Sequence, residues 1–335
     1  MLTTARRQKG AHSRPLTGQN GRVLRAPRTA IWRKKGWTPY LLLLPSAVAI
    51  GLLLVWPAIQ LGLFSFQKYS EGQLAGTLPT HWVGWANYRQ ILHDSEFWAS
   101  LRLTVVFAVV VVTLTLIVGT LVGLLLNQLR PRMAAFVSTA ALLAWATPAV
   151  SASVIFIWLF QPDGGIVDWG LSHLPSWLGG GAHWSGFNWT TSSALPAYTL
   201  ITILIVWQSF PFVAVSVLAG LKTIPDELLD AARVDGAGAW RVFWKVLYPL
   251  LKPIFLVLLL MSVIWDFGIF TQTYVVTGGL SNLDEWNLGL YAYAQANTMP
   301  PEYGLASAGG LVLTVVLLIV TVAYVRSTIR AGEVK

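Results

Sequence analysis

Six long apolar stretches, separated by short polar connections, constrain the fold of this 335-residue chain more than any other feature. A helix needs about 20 apolar residues to cross a bilayer, and backbone groups in hydrocarbon must be satisfied within the segment. Each stretch is therefore predicted to be a transmembrane helix. The predicted spans cover residues 40–66, 103–126, 134–160, 195–221, 254–276 and 304–325. We predict an all-α integral membrane protein in which Pro45, Pro57, Pro148 and Pro211 bend or break their helices locally.

The composition excludes several classes of function. Charged residues make up 11% of the chain, against about 25% in ordinary soluble domains. The absence of cysteine excludes disulfides, thiol nucleophiles and Cys-ligated metals. The histidines lack a spacing that would gather metal ligands, so no metal site is expected. The chain has no GxxxxGK[ST] phosphate cradle, and nucleotide binding by this chain is not expected.

The distribution of Lys and Arg predicts the orientation in the membrane. Residues 1–39 hold ten, 127–133 two, 222–253 five, and the C-terminus three. The alternate connections hold only Lys68 and Arg89, with Arg102 at a membrane boundary. Because positive charge favours the cytoplasmic side, both termini and residues 222–253 are predicted to be cytoplasmic.

Three domains are predicted from this pattern. Residues 1–38 lack an apolar region and are expected to form a disordered basic tail that meets lipid headgroups. Residues 39–326 form the transmembrane domain, and 327–335 a cytoplasmic C-terminal tail. The net charge of +9 is therefore interpreted as favouring contact with lipid headgroups, and no nucleic-acid partner is expected.

The stretch DAARVDGAGAWRVFWKVLYP, residues 230–249, interrupts two apolar runs with an amphipathic pattern. Thr223 is predicted to cap a short helix, with Pro225 near its first turn and carboxylates at 226 and 227 suited to the helix dipole. Gly236 is predicted to end that helix, and a second helix to run until Pro249. Small residues and exposed apolar ones, such as Val234, Trp240 and Phe243, suit a partner, but packing against the chain's own bundle explains them equally well.

This stretch resembles the EAA loop of the membrane subunits of bacterial ABC importers, in which Glu-Ala-Ala precedes a Gly by three residues and an Ile-x-Leu-Pro ending follows. Here Asp230-Ala231-Ala232, Gly236 and VLYP at 246–249 keep the spacing, with Asp230 replacing Glu and Tyr248 standing where Leu is common. Segments 82–107, 207–237 and 274–279 resemble the carbohydrate-importer branch, and the resemblance covers nearly all of 39–326. We call residues 222–250 the EAA loop.

The resemblance implies a type I ABC importer fold with six transmembrane helices and a non-catalytic permease role. The EAA loop would insert into a groove of a cytoplasmic ATPase subunit, although a solvated loop surface is the alternative for its charged residues. Implied coupling residues are Asp230, Ala231, Ala232, Arg233, Asp235, Gly236, Ala237 and Pro249. Implied partners are a second, similar permease forming a heterodimer, two ATPase subunits that hold ATP and Mg, and an extracytoplasmic sugar-binding protein. The implied location is the bacterial inner membrane, with no cofactor on this chain.

Family members place their substrate site about halfway through the membrane, among helices that match the fourth and fifth spans. The candidates here are Gln208, Ser209, Phe212, Trp265, Asp266 and, more weakly, Gln272. Amide, carboxylate and aromatic groups together suit a hydroxyl-rich ligand. Asp266 is the only charge inside the predicted spans and costs about 2.5–3.5 kcal/mol to insert. It is expected either to accept a hydrogen bond from a sugar hydroxyl or to bond a neighbouring helix or subunit.

Four functions remain open on the sequence alone. The main expectation is a permease for a di- or oligosaccharide, and a glycerol 3-phosphate permease is the nearest alternative. A proton-coupled secondary transporter using Asp266 and a membrane glycosyl transferase are less consistent with the pattern. Residues 161–194, rich in Gly and Trp and free of Lys and Arg, are expected either to lie at the membrane interface or to touch the binding protein.

Overall fold

A computed structural model describes residues 38–297 and 299–330 of the chain. The basic tail predicted for 1–38 therefore lies outside the described residues, apart from Thr38. The chain divides into two compact units, residues 1–56 and 57–335, which are described separately. The first unit contains helix α1 and a π-helical turn at Gly51–Val55, in which the N–H of Trp56 donates to the carbonyl of Gly51.

The described residues form fifteen α-helices and two very short strands. Helices α1 to α7 are Thr38–Ile50, Trp56–Ser65, Glu71–Leu74, Ala86–His93, Ser95–Gln128, Pro131–Trp145 and Ala149–Leu159. Helices α8 to α15 are Ile166–His173, Ala194–Leu221, Asp226–Val234, Ala239–Val242, Tyr248–Phe267, Thr271–Val276, Leu288–Asn297 and Tyr303–Arg330. Strand β1 (Gln67–Lys68) pairs antiparallel with β2 (His81–Trp82).

The six predicted spans are confirmed as apolar helices long enough to cross a membrane, one of them as a bent pair. Five are single stretches: Tyr40–Ser65, Ser95–Gln128, Ala194–Leu221, Ala239–Phe267 and Tyr303–Arg326. The sixth is the pair α6 and α7, which meet at an angle of 96°. The break follows Thr147, and Pro148 caps α7, as expected for a residue without a backbone N–H. Helices α1 and α9 continue through Pro45 and Pro211.

Both ends of the fifth span differ from the prediction of a helix over 254–276. The helix ends at Phe267, and Gly268 to Phe270 separate it from α13. At its other end it is continuous with the EAA loop, because a π-helical turn, Phe243–Leu247, joins α11 to α12. Pro249 was predicted to end the second loop helix, and that prediction was wrong. The wider turn before Pro249, with the Tyr248 N–H bonded to the Phe243 carbonyl, relieves the usual clash of a proline ring.

Helix α5 packs along α9 through two glycines. A Cβ at Gly119 would lie 2.5 Å from the side chain of Val213, and one at Gly123 would lie 3.0 Å from Val217. Small residues spaced by four allow such close approach of membrane helices. Further along the same pair, a buried cluster that includes Val111 and Leu204 continues the contact. This packing fixes the depth of α9, which carries the central residues of the candidate substrate path.

Candidate functional site

Helix α10 begins the EAA loop at Asp226, directly after Pro225. Thr223 was predicted as its N-cap and is not: its hydroxyl donates to the carbonyl of Gly220 at 2.7 Å, at the end of α9. Pro225 disfavours a helical conformation at Ile224 and is itself extended, with ψ of 135°, so the helix starts two residues later than a Thr223 cap would require. The first-turn carboxylates of Asp226 and Glu227 lie where the helix dipole favours negative charge.

Gly236 ends α10, as predicted. Its φ of +73° lies in the left-handed region that glycine adopts without strain. The N–H of Gly236 donates to the Arg233 carbonyl, and that of Ala237 to the Ala232 carbonyl, both at 3.0 Å. Apart from Gly236 and its two neighbours in the chain, no atom of the described residues lies within 4 Å of a Cβ placed at Gly236. The requirement for glycine within this chain is therefore conformational rather than steric.

The EAA loop has an inward and an outward side. Leu229, Ala232, Ala237 and Phe243 are half-buried, whereas Leu228 and Ala231 are exposed. The most exposed apolar side chains are Val234 at 88% and Trp240 at 76% of their surface. Phe243, predicted to offer outward contact area, instead faces its own chain.

The charged candidates Asp230, Arg233 and Asp235 are exposed, and Arg233 also borders the space beneath the loop. Arg233 Nη1 donates to Asp230 Oδ1 at 3.0 Å, one helical turn apart. Asp235 and Gly236 are exposed, and so is Pro249, which lies near the start of α12 rather than in the turn. The candidates therefore do not form one cluster.

A cavity of about 600 Å³ lies beneath the inward side of the EAA loop. Its walls include Leu124 and Asn127 at the end of α5, Lys222 after α9, and Arg233 and Phe243 of the loop. The loop thus packs over the end of its own bundle while its outer face stays open. The predicted packing against the chain's own bundle therefore holds for the inward side, and docking of a partner on the outward side stays a prediction.

A second cavity, of about 270 Å³, brings five of the six predicted path residues together. We call it the path cavity, and those five lining residues are Gln208, Ser209, Trp265, Asp266 and Gln272. They come from α9, the end of α12 and the start of α13, so the break after Phe267 is what opens the space. The sixth, Phe212, supports the wall from behind, with its ring 5.5 Å from that of Trp265.

Gln208 links both helix breaks. Its Nε2 donates to the carbonyl of Thr147 at 2.8 Å, next to the break that separates α6 from α7. Its Oε1 accepts from Gln272 Nε2 at 3.4 Å, beyond the break that follows α12. Broken membrane helices leave backbone carbonyls without intrahelical partners, and side chains satisfy them. These two hydrogen bonds hold the Gln208 side chain in one position in the lining of the path cavity.

Asp266 lines the path cavity although only 4% of its surface is exposed. Its Oδ2 has no hydrogen-bond partner among the residues that the structure describes. Trp265 beside it is 44% exposed. An acceptor and an aromatic face therefore border the same space.

Two further residues at this cavity were not predicted from the sequence. Trp145 lines it and stacks on Phe212, with ring centroids 5.8 Å apart. Thr147 contributes its backbone carbonyl to Gln208. Pro148 signalled a break here, and a carbonyl freed by that break needs a partner, but the sequence did not show which helix would supply it.

Comparison with known proteins decides the family. Residues 116–330 match the family described as binding-protein-dependent transport system inner membrane component. The chain belongs to this family. Members are permease subunits of ABC transporters and do not themselves hydrolyse ATP, which confirms the expected non-catalytic role.

Relatives include the diacetylchitobiose uptake permease DasB of Streptomyces coelicolor, 39% identical over 88% of each chain. The sulfoquinovosyl glycerol permease SmoG of Agrobacterium fabrum is 32% identical over 90% of this permease and 94% of its own length. The trehalose/maltose permease MalF of Thermococcus litoralis is 30% identical over 86% and 92%. These relatives confirm the resemblance to carbohydrate importers.

The fold also matches a solved structure. A chain of a bacterial ABC transporter for alginate import superposes with a TM-score of 0.71, at 20% identity, over 88% of this permease and 96% of that chain. The expected importer fold is therefore confirmed. The permease is a multi-pass membrane protein.

Proposed function

We propose that this permease forms one half of the membrane pathway for a di- or oligosaccharide, and that the path cavity is its part of the substrate site. The supporting observation is the path cavity itself: an unpartnered carboxylate oxygen, two amides and two tryptophans border one space between broken helices. Sugars combine hydroxyls with apolar ring faces, which such groups bind. The relatives that transport diacetylchitobiose and trehalose or maltose support the same substrate class.

The volume of the path cavity supports a shared site. At about 270 Å³ it lies at the lower edge of common ligand pockets, roughly 300–1,000 Å³. A second, similar permease would supply the opposite wall in a heterodimer. Sugar would arrive from an extracytoplasmic binding protein.

The EAA loop is proposed to dock on a separate ATPase subunit at the cytoplasmic side, with ATP and Mg held there. Its outward face offers Val234 and Trp240 as apolar contacts beside the Asp230–Arg233 pair. Apolar side chains at the centre of an interface supply most of its affinity, and charged rims set its register. The Lys and Arg distribution supports a cytoplasmic location for both termini.

The test is reconstitution of the complete importer in proteoliposomes with its binding protein. We expect ATP hydrolysis and uptake to be stimulated by one of diacetylchitobiose, trehalose or maltose, and to persist when a protonophore collapses the proton gradient. Stimulation by glycerol 3-phosphate alone, or uptake that stops with the gradient while ATP remains, would contradict the proposal.

A matched pair of variants tests the cavity itself. Trp265→Ala removes an aromatic wall of the path cavity, and we expect it to raise the sugar concentration that half-saturates uptake. Trp158→Ala makes the same truncation at a side chain that is 75% exposed on α7 and outside the cavity lining. Equal effects of the two changes would remove the path cavity from the proposal.

A further inference from the structure

A tryptophan-rich segment, residues 161–193, joins α7 to α9 and has no part in the path cavity or the EAA loop. It exposes large apolar side chains: Ile166 at 63%, Trp169 at 61%, Leu174 at 41%, Trp177 at 81% and Leu178 at 55%. We call these five the tryptophan-loop patch. One span, α9, separates this segment from the EAA loop, so the two lie at opposite ends of α9.

The segment that carries the patch is held in place by specific contacts. Beneath α8, the buried Asp168 accepts a hydrogen bond from Trp189 Nε1 at 2.6 Å. Trp189 stacks on Trp184 with ring centroids 5.2 Å apart, and Trp184 Nε1 donates to the Gly179 carbonyl. Trp177 lies in the turn just before Gly179, where the N–H groups of Leu178 and Gly180 donate to the Pro175 carbonyl. Its exposure therefore belongs to an ordered segment and not to a loose loop.

The depth of the segment follows from the length of α9. Its 28 residues extend about 42 Å, which matches a bilayer with its headgroup layers, about 40–45 Å. Gln208 lies at the middle of α9, and Ala194 begins it. The segment ends where α9 starts, and its core ring, Trp189, packs in one cluster with Tyr198 in the second turn of α9. The end of the segment that joins α9 is accordingly expected at headgroup depth.

The chemistry of the patch favours lipid over protein. Residues 161–193 contain no Lys, Arg or Glu, and Asp163 is their one exposed charge. Charged groups at the rim of a protein-docking surface steer and orient the partner, and this segment offers only Asp163. Tryptophan, by contrast, is enriched where the ring meets the acyl boundary and its N–H meets water. Irregular backbone is not tolerated in the hydrocarbon itself, which limits insertion to the interface.

We propose that the tryptophan-loop patch is a lipid-binding surface that lies in the headgroup layer of the leaflet opposite the EAA loop. The preceding helix, α7, also exposes Ile155 and Trp158. The patch would anchor the α7–α9 connection, and through it the break at Thr147 beside the path cavity.

Because the chain has no cysteine, one introduced cysteine gives a single spin-label site. The variants are Trp177→Cys and Trp169→Cys, with Ser185→Cys and Asp163→Cys as exposed polar controls in the same segment. Each is labelled with a nitroxide in the full-length permease within its importer, in nanodiscs of phosphatidylcholine and phosphatidylglycerol. The importer without an introduced cysteine is the background control, because any label that it takes up is on the partner subunits.

We expect relaxation by oxygen, relative to a water-soluble nickel chelate, to be several-fold stronger at positions 177 and 169 than at 185 and 163. Equal accessibility at all four positions would overturn the proposal. So would labels at 177 and 169 that are water-accessible until sugar-loaded binding protein is added, because the patch would then be a protein-docking surface. Using two patch positions guards against one variant that fails to assemble.

Discussion

The EAA loop and the path cavity are held together by different kinds of hydrogen bond, local in the loop and long-range in the cavity. The EAA loop is shaped by bonds between near neighbours: Asp230 with Arg233, and Ala237 with Ala232. The path cavity depends on bonds that span 61 and 64 residues, from Gln208 to Thr147 and from Gln272 to Gln208. A locally built, exposed element presents a surface without contributing much to the fold. A non-locally built cavity exists only when several helices have packed, so changes there affect stability and transport together.

The largest effect is expected at Gly236, where Val should abolish sugar-stimulated ATP hydrolysis while the protein still inserts and assembles. A β-branched residue at a positive φ is strained, and the left-handed conformation costs an ordinary residue roughly 1–2 kcal/mol. The helix end, and with it the docking face, would shift. ATP hydrolysis by the reconstituted importer measures this, and full activity of Gly236→Val would refute the docking role.

Gly236→Asn is the matched control, because Asn tolerates the left-handed conformation. No other atom of the described chain lies near the added Cβ, so Asn should retain most activity if only the conformation matters. Loss of activity in Gly236→Asn as well would show that the partner needs the absence of a side chain. Retained activity would show that the loop needs only the left-handed conformation at position 236. Lost activity would show that the docked partner leaves no room for a side chain there.

The same division explains what the sequence could predict. The six spans and the helix end at Gly236 depend on apolar length and local backbone preference. Both predictions were confirmed, except that the bounds of the fifth span were wrong. The cap at Thr223 and the stop at Pro249 were wrong because neighbouring geometry, an extended Pro225 and a π-helical turn, overrode local preference. Five of the six predicted path residues do line one cavity. Trp145, at the end of α6, was missed because its position depends on the 96° bend between α6 and α7, which no local sequence pattern encodes.

The second prediction concerns the cavity. Gln208→Leu should lower both the thermal stability of the permease and its transport rate. The change leaves the Thr147 carbonyl and the Gln272 amide without their partner, and a buried polar group left unpaired costs about 1–3 kcal/mol. Ser209→Ala, at the neighbouring position of the same cavity, is the control for melting. Melting in detergent and uptake in proteoliposomes report the two effects. A variant with wild-type melting would mean that the two breaks are held without Gln208.

A smaller and more selective effect is expected for Asp266→Asn. The change keeps the shape and removes a carboxylate that lacks a partner at Oδ2, so assembly and melting should be retained or improved. Sugar uptake should need a roughly tenfold or higher concentration, since a hydrogen bond to a charged group contributes about 1.5–3 kcal/mol. Size-exclusion chromatography and uptake kinetics separate these outcomes. Dissociation of the subunits would identify Asp266 as a structural residue between helices or subunits.

The smallest effect is expected for Asp230→Ala and Arg233→Ala on the isolated permease. The two side chains are 68% and 72% exposed, and an exposed pair one turn apart contributes only about 0.2–0.5 kcal/mol. Melting should therefore barely change in either variant or in the double variant. In the assembled importer, the same changes should weaken ATPase binding in a salt-dependent way, since rim charges act on association. A double-mutant cycle on that binding separates pairing within α10 from contact with the partner. If binding is unchanged in all three variants, the pair is only a solvated surface, and docking depends on Val234, Trp240 and the helix end at Gly236.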